Sequence, residues 1–307
     1  MIKILILFQV IIRRLGLKDR LIEDIYAGKI KEEDLTAKFI RDNYKNRGIC
    51  DNPKRKLGGG RKVLEDTKQL DQYLYSYGLM AQQQWDKAFS LKILPKEATI
   101  IDYACGQGLS MLQLVDQWSD SGSTNVKWKD RVKEVRLIEP SITALKRAQS
   151  VVGLKFPHST IKAVNKKLEN LDDDDLVFEP NKTYIHIFSQ VLDIPMSSKF
   201  SINELFERIT STIGTHYILI VGNKIDLYER DDIVLQLYEY VSREYIFEKE
   251  IELLLKEDSE LVRKVVTDKT VKDIAFKNYQ IRSTENQSYD CNSLFIKLKT
   301  VEKVIEE

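Results

Sequence analysis

Strands and helices alternate through the middle of this 307-residue chain, and this alternation constrains its fold more than any other feature. Short apolar runs rich in β-branched residues predict strands, and most of them precede a segment with apolar residues at helical spacing. The predicted strands span 98–104, 134–139, 159–165, 183–189 and 215–222, and the predicted helices span 109–118, 141–152, 201–212 and 231–244. Such alternation is typical of a parallel sheet with right-handed crossovers and helices on its faces.

The end of the chain has a different pattern. Two strand-like runs, 271–281 and 292–301, are joined by a polar stretch rich in turn residues, which predicts a terminal hairpin. The predicted fold class is therefore α/β: a doubly wound, seven-stranded, mostly parallel sheet with a C-terminal antiparallel hairpin, plus a helical N-terminal segment.

The first 70 residues are predicted to form a separate helical and basic segment, ahead of a main domain over 71–307. Residues 17–44 have apolar residues at helical spacing, so we expect two helices broken near Gly28. Residues 41–62 carry eight Lys and Arg against two Asp, together with Pro53. This basic stretch is predicted to be either a solvated linker or a contact for a nucleic-acid backbone.

Composition argues against several functional classes. The 48 basic and 47 acidic residues leave a net charge of +1, which argues against binding polyanions through bulk charge. The three cysteines, Cys50, Cys105 and Cys291, are far apart, so neither a disulfide framework nor a zinc site is expected, and a reducing cytoplasm fits. The apolar run 4–12 is too short to span a bilayer and predicts a buried strand or helix. We expect no membrane association, and the sequence leaves the oligomeric state open.

A break follows the first predicted strand, where Asp102 is succeeded by small residues and then by a helix. In a doubly wound sheet, ligands bind beyond the carboxyl ends of the strands, where unpaired N–H groups of a helix N-terminus point at them. NAD, GTP and S-adenosylmethionine (SAM) are the candidates for this break. The dinucleotide fingerprint G-x-G-x-x-G would place its third glycine at Met111, which weakens the NAD interpretation.

The string GNKIDL at 222–227 matches a guanine-reading N-K-x-D motif. A GTPase also needs G-x-x-x-x-G-K-[ST] after an early strand, and the sequence contains no such string. Asn223, Lys224 and Asp226 are therefore interpreted as loop residues after the fifth strand.

SAM fits the break best. The run Asp102-Tyr103-Ala104-Cys105-Gly106-Gln107-Gly108 resembles the first motif, D-x-G-C-G-x-G, of the Rossmann-like (class I) SAM-dependent methyltransferases, with alanine at the first glycine. The resemblance covers residues 70–307 and implies that this loop holds SAM, with Cys105 as a small packing residue. Alanine disfavours positive φ, so we expect a slightly reshaped loop.

The resemblance extends to the ends of the later strands. It implies that Glu139, followed by Pro140, accepts hydrogen bonds from the ribose hydroxyls, a task that suits an acceptor-only carboxylate. Residues after the third strand are expected beside adenine, residues after the fourth beside the methyl sulfonium, and the helix before the first strand is expected to fold over the cofactor. The predicted SAM-binding residues are Asp102, Ala104, Cys105, Gly106, Gly108, Glu139, Pro140, Asn165, Lys166, Leu168, Phe188, Ser189, Gln190 and Tyr77.

The predicted function is methyl transfer from SAM to an unidentified acceptor by in-line displacement, in which the protein supplies positioning and desolvation. The N/D-P-P-Y/F signature of amino-methyltransferases is missing after the fourth strand, and no catalytic residue is assigned. His186 is expected to be a buried, hydrogen-bonded histidine. The run 172–175 is expected to be a solvated loop, and no metal site is predicted. Two alternatives stay open: a non-catalytic methyltransferase-like binding module, and a nucleic-acid-associated protein led by residues 41–62.

Overall fold

A computed structural model describes residues 19–46, 57–88, 97–119, 128–192, 200–224, 232–244, 261–263, 269–284 and 287–301. The helices within these ranges are α1 (Arg20–Tyr26), α2 (Ala37–Tyr44), α3 (Thr67–Ala88), α4 (Leu109–Ser119), α5 (Ile142–Lys155), α6 (Ile202–Ile209) and α7 (Ile233–Glu244). The strands are β1 (Ala98–Tyr103), β2 (Val132–Ile138), β3 (Thr160–Val164), β4 (Lys182–Ser189), β5 (Gly214–Asn223), β6 (Leu261–Arg263), β7 (Lys269–Thr284) and β8 (Gln287–Thr300).

The strands form one sheet in the order β3-β2-β1-β4-β5-β8-β7-β6. Strands β1 to β5 run parallel, and β8 pairs antiparallel with both β5 and β7. The predicted seven-stranded, mostly parallel sheet with a terminal hairpin is confirmed, and the three-residue strand β6 extends its far edge. Because the strand order reverses beside β1, the carboxyl ends of β1, β2 and β4 border the switch point at which such sheets bind ligands.

Helices cover both faces of the sheet. Side chains alternate along each strand, so Ile101 of β1 packs on the face covered by α6 and α7, whereas Ile100 packs on the face covered by α3, α4 and α5. Trp85 of α3 is fully buried in the second of these cores. The three-layer arrangement matches the alternation in the sequence.

The N-terminal helices α1 and α2 pack on the outside of this assembly. Leu21 and Ile40 share an apolar cluster with Leu74 of α3, Leu112 of α4 and Val151 of α5. The predicted break near Gly28 lies between the two helices, where its φ is 69°. Helix α3 runs through residue 70, the predicted domain boundary, and the division into two domains stays a prediction.

Helix α5 begins at a well-defined cap beside the switch point. The Ser141 hydroxyl accepts a hydrogen bond from the Ala144 N–H at 3.1 Å, which satisfies one of the unpaired N–H groups of the first turn. Three residues therefore separate the end of β2 from the start of the helix, and the cap fixes this short segment.

No helix among the described residues is long and apolar enough to cross a membrane. The apolar run 4–12 and residues 47–56 of the basic stretch lie outside the described residues.

Candidate functional site

The loop between β1 and α4, residues 104–108, is called the glycine loop below. Three of its residues have left-handed backbone: Ala104 (φ 57°), Gly106 (φ 52°) and Gly108 (φ 82°). The Cys105 N–H donates to the Ile138 carbonyl at 3.0 Å, so the loop is attached to the end of β2. This backbone path turns the N–H of Gly106 toward the segment that follows β2.

Gly108 has a packing reason to be glycine. A Cβ at this position would lie 3.2 Å from Cα of Ala148 and 3.4 Å from a methyl group of Val152, both on α5. A Cβ on Gly106 would meet nothing within 4 Å, so Gly106 needs glycine for its backbone conformation alone.

Ala104 occupies a conformation that costs an L-residue about 1 kcal/mol or more. The sequence predicts a reshaped loop, but the structure keeps the left-handed turn and places the strain on Ala104. We expect Ala104→Gly to raise the free energy of unfolding by up to about 1 kcal/mol, net of the greater entropy of glycine in the unfolded chain. Chemical denaturation measures this change.

The control for this prediction is Ala163→Gly in β3, at ordinary strand geometry. That substitution should lower the free energy of unfolding by about 0.5–1 kcal/mol, because only the entropic cost of glycine remains. A loss of stability in Ala104→Gly equal to that of the control would contradict the strain assigned to Ala104.

Glu139, the residue after β2, accepts two backbone hydrogen bonds. The Gly106 N–H donates to Oε2 at 3.0 Å, and the Ser141 N–H donates to Oε1 at 2.8 Å. Burial raises the pKa of this carboxyl, while the two N–H groups act in the opposite direction. The Asn165 side chain donates to the carbonyls of Glu139 and Pro140, both at 2.8 Å, and so fixes the backbone of this segment. The two landmarks of the sequence motif, Gly106 and Glu139, are thus in direct contact.

Asp102 lies beneath the glycine loop and is 1% exposed. The Ser110 hydroxyl donates to its Oδ2 at 2.5 Å, while its buried Oδ1 has no hydrogen-bond partner among the described residues. Burial raises the pKa of Asp102 to about 7, the charge of Glu139 adds to this, and the hydrogen bond from Ser110 opposes it. A buried carboxylate oxygen without a donor is costly, and its presence at this position points to a ligand that supplies the donor.

A cavity of about 280 Å³ opens above these residues. Eight predicted SAM-binding residues line it: Ala104, Cys105, Gly106, Glu139, Pro140, Leu168, Ser189 and Gln190. Six lie outside its lining: Asp102, Gly108, Asn165, Lys166, Phe188 and Tyr77. The structure therefore brings most of the predicted set to one cavity, at the expected switch point of the sheet.

Two of the six, Lys166 and Phe188, contact residues outside the cavity lining, and a third, Tyr77, is buried. Lys166 contacts the carboxylates of Asp172 and Asp175 at 2.6 and 2.7 Å. The Phe188 ring stacks on Tyr103 with ring centroids 4.3 Å apart. Tyr77 is buried, and its hydroxyl has no hydrogen-bond partner among the described residues.

One wall of the cavity was not predicted from the sequence. Residues 60–64, which overlap the end of the basic stretch, line it. The Ser141 hydroxyl donates to the Leu64 carbonyl, and the Thr143 hydroxyl donates to the Glu65 carbonyl at 2.9 Å. Gly60 has a φ of 89°. A Cβ at this position would lie 3.5 Å from the ring of Tyr77 and 3.6 Å from the ring of Tyr73. The sequence feature that could have indicated this wall is the triple glycine at 58–60, which lies in the stretch interpreted as a linker.

A chain of amides lies on the β4 side of the cavity. The Gln190 side chain donates to Oε1 of Gln84, and Gln84 donates to Asn223 Oδ1 at 2.8 Å and to the Cys291 sulfur at 3.2 Å. Gln190 is itself left-handed (φ 59°), and its N–H donates to the Val221 carbonyl at 2.8 Å. Asn223, from the guanine-like string, therefore belongs to this amide chain, whereas Asp226 lies outside the described residues.

His186 lies in a buried row of side chains below the cavity. Its Nδ1 lies 3.0 Å from the Tyr103 hydroxyl, its Nε2 lies 3.1 Å from Nδ1 of His216, and Nε2 of His216 lies 2.9 Å from the Thr212 carbonyl. A carbonyl only accepts, so with neutral rings each proton points toward Thr212. Burial, followed by the neighbouring His216, holds the pKa of His186 well below its usual range. A structural role for His186 agrees with the sequence-based expectation.

No protein-family model matches this sequence, and no curated protein matches it at a significant level. Solved structures of low sequence identity do resemble it, and several of these are described as methylases or methyltransferases. One is a ribosomal RNA methylase from Streptococcus thermophilus, 17% identical over 73% of this chain and 96% of its own, with a TM-score of 0.35.

A SAM-dependent methyltransferase from Leishmania major is 11% identical over 85% of this chain and 82% of its own, with a TM-score of 0.39. A Streptococcus mutans protein solved in complex with S-adenosylhomocysteine (SAH) is 11% identical over 71% of this chain and 96% of its own, with a TM-score of 0.35.

Proposed function

We propose that this chain is a SAM-dependent methyltransferase that acts on an acceptor still to be identified. The observation that carries the proposal is the contact between the Gly106 N–H and the Glu139 carboxylate, with the unpartnered Oδ1 of Asp102 beneath it. The cavity offers an acceptor for hydroxyl groups and a close backbone approach. Oδ1 of Asp102 lies outside the cavity lining, beneath the glycine loop, and is assigned as the acceptor for an ammonium group. Together these groups match a nucleoside with an amino-acid tail.

The residues present fit SAM in charge and in hydrogen bonding. Each oxygen of Glu139 accepts one backbone N–H and keeps a lone pair for a ribose hydroxyl. Asp102 offers Oδ1 to the ammonium of the amino-acid tail, and Gly106 leaves space for that tail. When bound, SAM supplies an electrophilic methyl group. The chain's own task is to orient the two partners and exclude water.

The acceptor side of the cavity is assigned to Ser189 and Gln190, which follow β4. The Ser189 hydroxyl accepts from the Trp85 indole N–H at 2.9 Å, and the amide of Gln190 is held by Gln84. Both side chains are therefore oriented before a substrate arrives. We assign no general base, since one is needed only for an acceptor that must lose a proton before or during attack.

Calorimetric titration with SAM and SAH tests the cofactor, and transfer of tritiated methyl groups tests the reaction. Cell extract separated into RNA, DNA, protein and small molecules serves as the acceptor pool, with Glu139→Ala as the control. Label that appears in one fraction and disappears in the control supports the enzyme. Failure to bind either ligand rejects the enzyme and favours the non-catalytic binding module, whereas binding without transfer to any fraction leaves that module open.

Cofactor binding is expected to release a proton near neutral pH. The pKa of Asp102 is about 7 without ligand, so much of this carboxyl is protonated at pH 6.5. A ligand ammonium beside Oδ1 lowers that pKa, so SAH affinity should rise by up to tenfold per pH unit between about pH 5 and 7. Titrations at pH 6.5 in buffers of different ionisation enthalpy should give about half a proton released or more. Asp102→Asn should abolish this release, and an unchanged release would contradict its assignment to Asp102.

Nucleic acid is the second candidate partner. Arg61 and Lys62 are exposed on the wall formed by residues 60–64, and Lys167 lines the opposite side of the cavity. If this basic rim holds an RNA or DNA acceptor, affinity for that nucleic acid should fall steeply with salt, and Arg61→Gln with Lys62→Gln should reduce the slope.

We further propose a reducing cytoplasmic location, consistent with the buried thiols of Cys105 and Cys291.

A further inference from the structure

Gln107 lines the cavity, and its side chain belongs to a buried polar network. Its Nε2 donates to the Leu70 carbonyl of α3 at 3.0 Å, and its Oε1 accepts from Arg147 of α5 at 2.7 Å. Gln107 lies between Gly106 and Gly108, so these two bonds hold the centre of the glycine loop. The loop geometry therefore depends on what holds Arg147.

Arg147 is held by two carboxylates from outside the sheet. Its Nε donates to Asp19 at 2.8 Å, and the same terminal nitrogen that binds Gln107 donates to Asp71 at 2.9 Å. Both Arg147 and Asp19 have side chains only 1% exposed. A guanidinium carries its donors in a rigid planar fork, so moving the Asp19 end of the group also moves the Gln107 end.

Asp19 is in turn fixed by the N-terminal helix α1. Its Oδ1 accepts from the N–H groups of Leu21 and Ile22 at 3.0 and 3.2 Å, as an N-cap does. Helix α1 therefore presents Oδ2 of Asp19 to Arg147 from a defined position. A continuous set of buried bonds runs from α1 through Arg147 to the glycine loop.

We propose that Arg147 is a positioning residue, through which docking of the N-terminal helices sets the affinity of the glycine loop for its cofactor. This inference rests on the proposed function. It makes residues 19–46 part of the cofactor site, although none of them lines the cavity. Coupling is reciprocal, so cofactor binding should also hold α1 more firmly on α5.

Asp19→Asn tests the proposal. Asparagine keeps an oxygen for the helix cap but turns an amide N–H₂ toward the guanidinium, which breaks the bond to Arg147. We expect the dissociation constant of SAH to rise about tenfold, a coupling typical of residues in one hydrogen-bonded network. Hydrogen exchange of the amides at 104–108 should quicken in the ligand-free variant, and SAH should slow exchange of the α1 amides in the wild-type chain.

Lys155→Met is the matched control. Lys155 is also a buried cation of α5, and it donates to the carbonyls of Glu32 and Leu35 at 3.1 and 2.9 Å, in the segment between α1 and α2. These bonds do not involve the glycine loop. Both variants should lower the melting temperature, but only Asp19→Asn should weaken SAH binding. Equal SAH affinity in the two variants at a temperature where both are folded would overturn the proposal.

Gln107→Met breaks the same network at its loop end and serves if Asp19→Asn does not fold. Methionine has a similar length and neither accepts strongly from Arg147 nor donates to Leu70. Weaker SAH binding by Gln107→Met, with no further loss in the double variant where it folds, supports action through Gln107. Wild-type affinity in Gln107→Met overturns it. If the wild-type chain binds no SAH, the proposed function fails first, whereas loop exchange still reports on the network by itself.

Discussion

Replacing Glu139 with alanine is expected to weaken SAH binding by about a hundredfold or more. The substitution removes a charged acceptor for two ribose hydroxyls, and hydrogen bonds to a charged group contribute about 1.5–3 kcal/mol each. It also leaves the N–H groups of Gly106 and Ser141 without their acceptor, which loosens the glycine loop. Glu139→Gln should lose about tenfold, because the amide keeps one acceptor but faces an N–H group with a donor. Calorimetry measures both.

Glu134→Ala is the control for this prediction. Glu134 lies near the amino end of the same strand, where it pairs with Arg136 and Lys162. Its loss should leave SAH affinity unchanged, because the cavity lies at the carboxyl end of β2. Glu139 is the acid that directly follows β2. Full SAH affinity in Glu139→Ala would therefore remove the basis of the methyltransferase proposal.

Asp102→Asn is expected to stabilise the fold while weakening cofactor binding. Burial raises the pKa of Asp102 from 3.8 to about 7, so the folded chain holds a proton that the unfolded chain releases. The stabilisation from that proton is complete below pH 3.8 and is lost as pH rises through 7. Asparagine resembles the protonated form at every pH. The variant should therefore gain up to about 4 kcal/mol in free energy of unfolding at pH 8, a gain that vanishes near pH 4.

The matching control is Asp232→Asn. Asp232 is also buried, but both of its oxygens are bound: Oδ1 accepts from the N–H groups of Val234 and Leu235, and Oδ2 accepts from Asn292 at 2.7 Å. An amide there turns an N–H₂ toward Asn292, whose side-chain amide must flip to accept from it, so Asp232→Asn should gain no stability at pH 8. SAH affinity should drop about tenfold in Asp102→Asn alone, since a neutral amide attracts an ammonium less than a carboxylate does. A stability of Asp102→Asn at or below the wild type at pH 8 would contradict the raised pKa.

Much of the fold could be predicted because its pattern is local. Strand β4 was predicted over 183–189 and spans Lys182–Ser189, and β5 was predicted over 215–222 and spans Gly214–Asn223. Both are apolar runs bounded by polar residues, which define a buried strand by themselves. The short strand β6 was missed because three residues have no periodicity to read. The helix predicted over 201–212 ends earlier, at Ile209, where Thr210 turns its hydroxyl back to the Phe206 carbonyl at 2.7 Å.

The parts of the site that depend on local sequence patterns could be predicted. A small-residue turn after β1 and an acid after β2 are local signals, and they meet at 3.0 Å. The wall at 60–64 and the position of Arg147 depend on tertiary packing between segments far apart in sequence. Nothing near Arg147 in the sequence marks it as buried, since its two carboxylate partners come from Asp19 and Asp71. Residue-by-residue SAM contacts stay predictions until binding is measured.

The ion pair between Asp19 and Arg147 spans 128 positions in the chain. At ordinary rates of translation, the first helix therefore waits on the order of ten seconds on the ribosome before its partner helix is synthesised. Through that interval only α3 and α4, which are made earlier, can cover part of the apolar faces of α1 and α2. Docking of α1 and α2 is thus completed only after α5 has been synthesised.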